Sequence, residues 1–302
     1  MSDDGGRAAT AVTREFLRGL PLPQPSKDGD KDQRGRVLVV GGSLEVPGAA
    51  LLAGIAALRA GAGKLQIATG RSAAPHLGLA VPEALVAGLP ETEAGGLDPA
   101  AAELLAARVR RCDAVLVGPG MMDEGAVLAL TARLLAEMPA IPLALDAACL
   151  VELPAAREAL QPHAGRVVIT PHAGEMAALL GVEREAIAAA PIAYGRKAAS
   201  LLQVVVVLKG GRTQIVTPQG EAWTYAEGSV GLATSGSGDV LAGIVAGLLA
   251  RGAPPAEAAI WGVALHGEAG NRLARRVGPL GFLARELLTE IPGVMRDLGP
   301  DP

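Results

Sequence analysis

Val37-Leu38-Val39-Val40-Gly41-Gly42-Ser43 opens a stretch that continues through Ala49 to Ala60 and on to Leu65-Gln66-Ile67-Ala68, and its reading decides the fold class. Val37 to Val40 has no polar face, so it reads as a short strand buried on both sides. A glycine turn follows. Apolar residues then recur at helical spacing from Ala49 to Ala60 and stop at Gly61. Leu65 to Ala68 is the next strand. Two uniformly apolar strands joined by a helix form a crossover unit of a parallel sheet.

Reading outward, the same alternation recurs. Ala101 to Arg110 is helical, and Ala114 to Val117 is a strand ending in Gly118-Pro119-Gly120. Glu124 to Glu137 is helical, and Leu143 to Leu145 is a strand with Asp146 at its end. Val167 to Ile169 is a strand ending in Thr170-Pro171-His172. Helices are expected over Glu175 to Leu180 and Ile187 to Leu202, and Val204 to Leu208 is a β-branched run. Arg212 to Val216 and Glu221 to Tyr225 look like a hairpin pair. Helices over Asp239 to Arg251, Pro255 to Arg275 and Leu280 to Met295 complete the chain. The pattern predicts an α/β fold, a central mostly parallel sheet with helices on both faces. Ligands of such sheets sit outside the carboxyl ends of the strands. The Gly, Asp, His and Lys positions that follow the strands should therefore gather along one edge. Residues 1–33 read as a polar lead-in, partly flexible, with a short helix over Thr10 to Leu20 and a loop from Pro21 to Lys31. Residues 34–302 read as one domain, without an internal repeat or a splitting linker.

Composition narrows the function classes. Half of the 302 residues are hydrophobic, 19% are charged and only 2% are aromatic. Such a chain buries enough apolar surface to exclude disorder as its main state. Its core must be built from Ala, Leu and Val. A net charge of −4 and no basic stripe interleaved with aromatics argue against nucleic acid as a partner. Cys112 and Cys149, in apolar contexts at unrelated spacing, read as buried free thiols of a reducing cytosol. The longest strongly apolar run, Val240 to Ala250, contains Gly243 and Gly247 and falls short of the roughly 20 residues a membrane helix needs. Met1 to Gly6 is acidic and glycine-rich, unlike a signal peptide. The expectation is a cytoplasmic protein without a membrane partner.

The sharpest chemical signal is Ser235-Gly236-Ser237-Gly238-Asp239 at the start of an apolar helix. Glycines admit close backbone approach, and free N–H groups at a helix start bind anions. Gly236, Ser237 and Gly238 thus form a candidate anion loop. Asp239 has two readings there, a helix cap or a catalytic base. The standard phosphate fingerprints are absent: Gly63-Lys64 is followed by Leu65, and no Gly-x-Gly-x-x-Gly opens a helix after a strand. The four histidines, His76, His163, His172 and His266, and the two cysteines are too dispersed for a zinc motif. Lys209-Gly210-Gly211-Arg212-Thr213 reads either as a nucleotide cradle or as a glycine hairpin with a solvated lysine. His172 is a structural strand-end histidine or a ligand contact. Asp146 caps a strand and could hold a Mg²⁺-bound water or a ligand hydroxyl.

Taken in order, Val39-Val40-Gly41-Gly42-Ser43, Pro47-Gly48-Ala49-Ala50, Ala56 to Gly63, Gly118-Pro119-Gly120, Thr170-Pro171-His172-Ala173-Gly174-Glu175, Leu208-Lys209-Gly210 and Gly231 to Gly243 form a set. This set resembles the ADP-dependent NAD(P)H-hydrate dehydratases, which have the ribokinase-like fold, over about residues 34–295. Two departures are small. Gly236-Ser237-Gly238-Asp239 stands where the family often has Gly-Thr-Gly-Asp, and Ala173 where it often has Pro. The family often carries an N-terminal epimerase domain as well. The short stretch before the first motif implies that it is absent here.

The resemblance implies the repair of hydrated NADH or NADPH, with AMP and phosphate as by-products. It implies ADP as phosphoryl donor, with ATP an alternative, and Mg²⁺ bridging the phosphates, with no metal-ligating residue assigned. Hydrated cofactor would contact Ala49, Ala50, Gly120, His172 and Asp239. The nucleotide would lie on Lys209, Gly210, Gly211, Arg212, Thr213 and Gly238, and Asp239 would be the general base. With the small-residue composition, the family also suggests a homotetramer. Two rivals remain: a small-molecule kinase of the same fold acting on a vitamin precursor or sugar alcohol, and a non-catalytic nucleotide binder. A kinase would release a phosphorylated product, and a binder would show no turnover.

Overall fold

A computed structural model describes residues 8–24, 33–151 and 153–299. Met1 to Gly6 and most of the Pro21 to Lys31 loop lie outside the described residues. The chain begins with a strand β1 (Thr10–Ala11) and a helix α1 (Arg14–Arg18), followed by β2 (Arg36–Val40), α2 (Pro47–Arg59), β3 (Lys64–Gly70), α3 (Ala74–Ala80) and β4 (Ala84–Leu89). Next come α4 (Ala101–Val109), β5 (Ala114–Val117), α5 (Glu124–Glu137), β6 (Leu143–Leu145), α6 (Arg157–Leu160), β7 (Val167–Ile169) and α7 (Ala173–Leu180). The last third holds α8 (Arg184–Ala189), α9 (Pro191–Leu202), β8 (Val205–Leu208), β9 (Thr213–Val216), β10 (Ala222–Tyr225), α10 (Ser237–Ala250), α11 (Pro255–Arg276) and α12 (Ala284–Leu298).

The described strands form one sheet in the order β1-β10-β9-β8-β7-β6-β5-β2-β3-β4. Neighbours are parallel except where β9 meets β8 and β10. Uniform apolarity in the inner strands has a direct cause. Successive side chains point to opposite faces, and both faces are covered. Val37 and Val39 of β2 enter one core with α2, α10, α11 and α12, whereas Leu38 and Val40 enter the other with α4, α5, α7 and α9. The same split divides Val205 and Val207 of β8 from Val206 and Leu208.

With few aromatic residues, backbone proximity supplies packing density. α10 lies directly against α2. A Cβ on Gly243 would fall on the Ala53 carbonyl oxygen, and one on Gly247 on that of Ala57. Trp261, one of the two tryptophans, is buried and donates from Nε1 to the Leu20 carbonyl at 2.7 Å. Arg251 donates to the carbonyls of Ala60 (3.0 Å) and Pro23 (2.7 Å), so the early segment is tied to the ends of α2 and α10.

Three local expectations change. Thr10 to Leu20 is a strand and then a helix, because Thr13 caps α1 by accepting from Phe16 N–H at 3.1 Å. The expected helix Ile187 to Leu202 is two helices, broken at Ala190 so that Pro191, which lacks an N–H, takes the first turn of α9. The pair α3 and β4 has no counterpart in the sequence reading. β4 is an edge strand with Leu85 exposed, so its pattern lacks the two-sided burial that marks the inner strands. Both cysteines are buried free thiols. Burial pushes Cys112 up to about 11 and Cys149 up to about 12, so neither is a nucleophile at neutral pH. Among the described residues no helix is long and apolar enough to cross a membrane.

Candidate active site

The carboxyl ends of the parallel strands and the first turns of α2, α7 and α10 meet along one edge. Close approach there requires glycine at particular places. Gly118 has φ +127° and leaves no room for a Cβ against the Asp146 carbonyl. Gly120 has φ +66° and sits against the Val46 carbonyl and the Ala49 methyl. Gly120 and Ala49 are thus brought together. Ala50 is buried one residue further along α2.

α10 starts at Ser237, with Gly236 as N-cap at φ +84° and no side-chain cap. The Ser237 N–H donates to the Thr234 carbonyl at 3.2 Å, and the next N–H groups, which lack an intrahelical acceptor, give this turn donors and a positive dipole end toward the cleft. Asp239 is the third helical residue and does not cap the helix, which removes the cap reading. Its carboxyl is pushed up to about 6, first by burial and then by the charge of Asp146, with Lys209 opposing.

Three adjacent strands, β6, β7 and β8, end in Asp146, Thr170 and Lys209. The Asp146 carboxylate is buried, and its Oδ1 accepts from Thr170 Oγ1 at 2.5 Å and from Lys209 Nζ at 3.1 Å. Glu175 Oε2 stands 3.9 Å from the same ammonium. Burial pulls the Lys209 pKa down, but the charges of Asp146, Glu175 and Asp239 outweigh it, so the pKa is raised and the ammonium is retained. Lys209 Nζ would lie 3.4 Å from a Cβ placed on Gly238. The ammonium therefore sits under the anion loop. Both sequence readings of this segment contain part of the geometry. Gly210, Gly211 and Arg212 form the exposed turn of the β8–β9 hairpin, with Thr213 Oγ1 donating to the Gly210 carbonyl at 3.3 Å, but Lys209 is turned inward and only partly exposed.

His172 caps α7. Its Nδ1 accepts from Glu175 N–H at 3.0 Å, and Glu175 Oε2 accepts from His172 N–H at 2.7 Å. The imidazole is otherwise exposed, and its strand end bonds the Lys209 segment through Lys209 N–H to the Pro171 carbonyl at 2.8 Å. Sequence reasoning missed a further contact: His266 Nε2 on α11 lies 2.9 Å from Ser237 Oγ. Burial pushes the imidazole down to about 4, with the nearby Lys209 charge adding to the effect and a hydrogen bond to the Ser237 backbone opposing it, so His266 is neutral at pH 7. A histidine in the middle of a long helix carries no local signal for such a contact. Among the described residues no group of His, Cys, Asp and Glu is disposed to hold a metal ion, and the carboxylates of Asp146 and Glu175 are met by Lys209 instead.

Comparison with known proteins converges on one group. The family described as NAD(P)H-hydrate dehydratase matches residues 37–293. An ADP-dependent (S)-NAD(P)H-hydrate dehydratase of Xanthomonas campestris is 49% identical over 96% of this chain and 97% of its own length. The crystal structure of the ADP/ATP-dependent NAD(P)H-hydrate dehydratase of Bacillus subtilis, co-crystallized with ATP/Mg²⁺, superposes with a TM-score of 0.79 at 29% identity, covering 96% of this chain and 99% of that one. A ribokinase-like superfamily protein of Enterococcus faecalis superposes with a TM-score of 0.78 at 27% identity, covering 97% of each chain. The sheet and its two helical layers are therefore ribokinase-like.

Proposed function

The chain belongs to the NAD(P)H-hydrate dehydratase family, and from that premise we propose that it dehydrates hydrated NADH and NADPH at the expense of ADP. The observation that carries the reading is Asp239, a carboxylate with its pKa raised toward neutrality in the first turn of an uncapped helix, beside a lysine ammonium. Hydroxide is a poor leaving group, and phosphorylation makes it a good one. Asp239 takes the proton of the ring hydroxyl as that oxygen attacks the terminal phosphorus of ADP. The bond from that phosphorus to the bridging oxygen breaks, and AMP departs with the electron pair. Phosphate then leaves the ring carbon with its bonding pair, a ring proton is lost, and the double bond returns.

The residues of this chain divide the work. The N–H groups at the start of α10 face the negative charge of the transferred group. Lys209 adds a fixed positive charge beneath it. Ala49, Ala50, Gly120 and His172 would contact the hydrated ring. Lys209, Gly210, Gly211, Arg212, Thr213 and Gly238 would take the nucleotide. Mg²⁺ would arrive on the nucleotide phosphates and neutralise their charge, since no described set of side chains is arranged to hold it. The same reading takes the chain as one working domain and as a homotetramer in the cytoplasm.

The test is an absorbance assay. Purified protein, Mg²⁺ and hydrated NADH are mixed with ADP or with ATP, and the return of reduced-nicotinamide absorbance is followed. Recovery that needs nucleotide, with AMP and phosphate formed in equal amounts from ADP, is the expected result. Binding of nucleotide by calorimetry without recovery would sink the dehydratase reading and favour a kinase of small alcohols.

A further inference from the structure

Lys209 follows β8 at the mouth of an exposed glycine turn, where a lysine ordinarily reaches into solvent. Here its ammonium is drawn inward to a buried carboxylate two strands away. A buried ion pair is weak evidence of added stability, since an apolar pair of similar volume often does as well. The charges call for another use.

The segment bearing Asp146 is built with unusual constraint. Ala147, the next residue, has φ +55°, a left-handed conformation that costs an alanine energy. Gly118 leaves no room for a side chain against the Asp146 carbonyl, and Asp146 N–H donates to Val117 O at 3.1 Å. Thr170 Oγ1 donates to the same Oδ1 that receives Lys209. Strain of this sort persists where the surrounding structure over-determines a geometry, and it clusters at functional sites.

We propose that Asp146, locked by Thr170 and by this strained turn, is a positioning residue that aims the Lys209 ammonium under the anion loop, where it meets the phosphoryl group in transfer. The proposal rests on the phosphoryl-transfer reading above. Asp146 is buried and acts through Lys209. Lys209 gains a fixed direction toward the charge that develops in the transition state, which favours the chemical step over ground-state binding.

The test compares Asp146→Asn with Thr170→Val, both near-isosteric. In Asp146→Asn, kcat is expected to fall by about 10²-fold, the scale of losing one oriented donor to a transition-state charge. Affinity for ADP with Mg²⁺, measured by calorimetry, should change little. Thr170→Val keeps the charge and loosens the carboxylate, so kcat should fall by about tenfold. An independent readout uses protein labelled with ¹³C at lysine Cε, with the Lys209 resonance assigned by its loss in Lys209→Arg. ADP should shift that resonance in the wild type and leave it nearly unmoved in Asp146→Asn.

Wild-type kcat in both variants overturns the proposal, as does a fall in kcat matched by an equal loss of ADP affinity. A Lys209 resonance indifferent to ADP in the wild type overturns it as well. If Asp146→Asn does not fold, Thr170→Val and the wild-type resonance decide the matter. Absence of hydrated-NADH turnover in the wild type would count against the parent reading alone, because the ADP-induced shift still reports where the ammonium points.

Discussion

The two ends of α10 use glycine for opposite purposes. At its start, Gly236 takes a left-handed conformation and Gly238 keeps the backbone bare above Lys209, so the first turn opens onto the cleft. Two turns on, Gly243 and Gly247 are buried, and their missing side chains let α10 rest on the backbone of α2. The first pair exposes polar backbone to a ligand, and the second removes space between two apolar surfaces. A rigid lower half holds a reactive upper turn in place, and each half can be perturbed separately.

The largest expected effect separates the ends cleanly. Asp239→Asn removes the base and should lower kcat by about 10²–10⁴-fold, while calorimetry finds ADP binding nearly unchanged. The fold should also gain from this change. A carboxylate whose pKa rises from 3.8 to about 6 on folding binds protons more tightly in the native state, so wild-type stability falls as pH rises across that window. Thermal melts on either side of the window should show this loss in the wild type and not in Asp239→Asn. If binding and folding fail together with turnover, the base assignment is wrong.

Next in size is a change that should spare the chemistry. Gly243→Ala places a methyl on the Ala53 carbonyl, and over-packing of this sort costs about 1–3 kcal/mol. Denaturant midpoints should drop, while kcat per folded molecule stays near wild type. A drop in kcat without a loss of stability would show that the two halves of the helix are not separable.

The pH dependence of kcat/KM sharpens the upper end. As a base, Asp239 works ionised, so activity should fall as pH drops through about 6. His266, held down at about 4, should contribute no further limb near neutrality. The smallest effect is expected for Ser237→Ala. It loses the contact with His266 at 2.9 Å but leaves the N–H groups of the loop, so the cost is about 1 kcal/mol and kcat falls only severalfold.

Much of the scaffold was legible because its signals are local. Ala114–Val117, Glu124–Glu137, Leu143–Leu145 and Val167–Ile169 coincide with their sequence readings residue for residue. Two-sided burial writes itself into consecutive apolar residues, and helical spacing into the rest. β4 escaped because an edge strand is covered differently, and α8 and α9 were merged because the period runs through Ala190. In the site, the glycine loop and Asp239 were visible as a string. The aim of Lys209 was not, since Asp146 and Lys209 are 63 residues apart and meet only across β7, which lies between their strands in the sheet.

The sequence by itself determined the α/β alternation, the edge at which polar residues collect, the glycines at the start of α10 and the family resemblance. Each of these is carried by residue type and short-range spacing. Only the tertiary structure decided that Asp239 is not a cap, that Lys209 is turned away from solvent, that Thr170 clamps Asp146 and that His266 reaches Ser237. Those facts depend on distances between strand ends and on burial of charge. Electrostatic energy in a poorly solvated cleft changes steeply over a few ångströms, and no local pattern of residues specifies such distances.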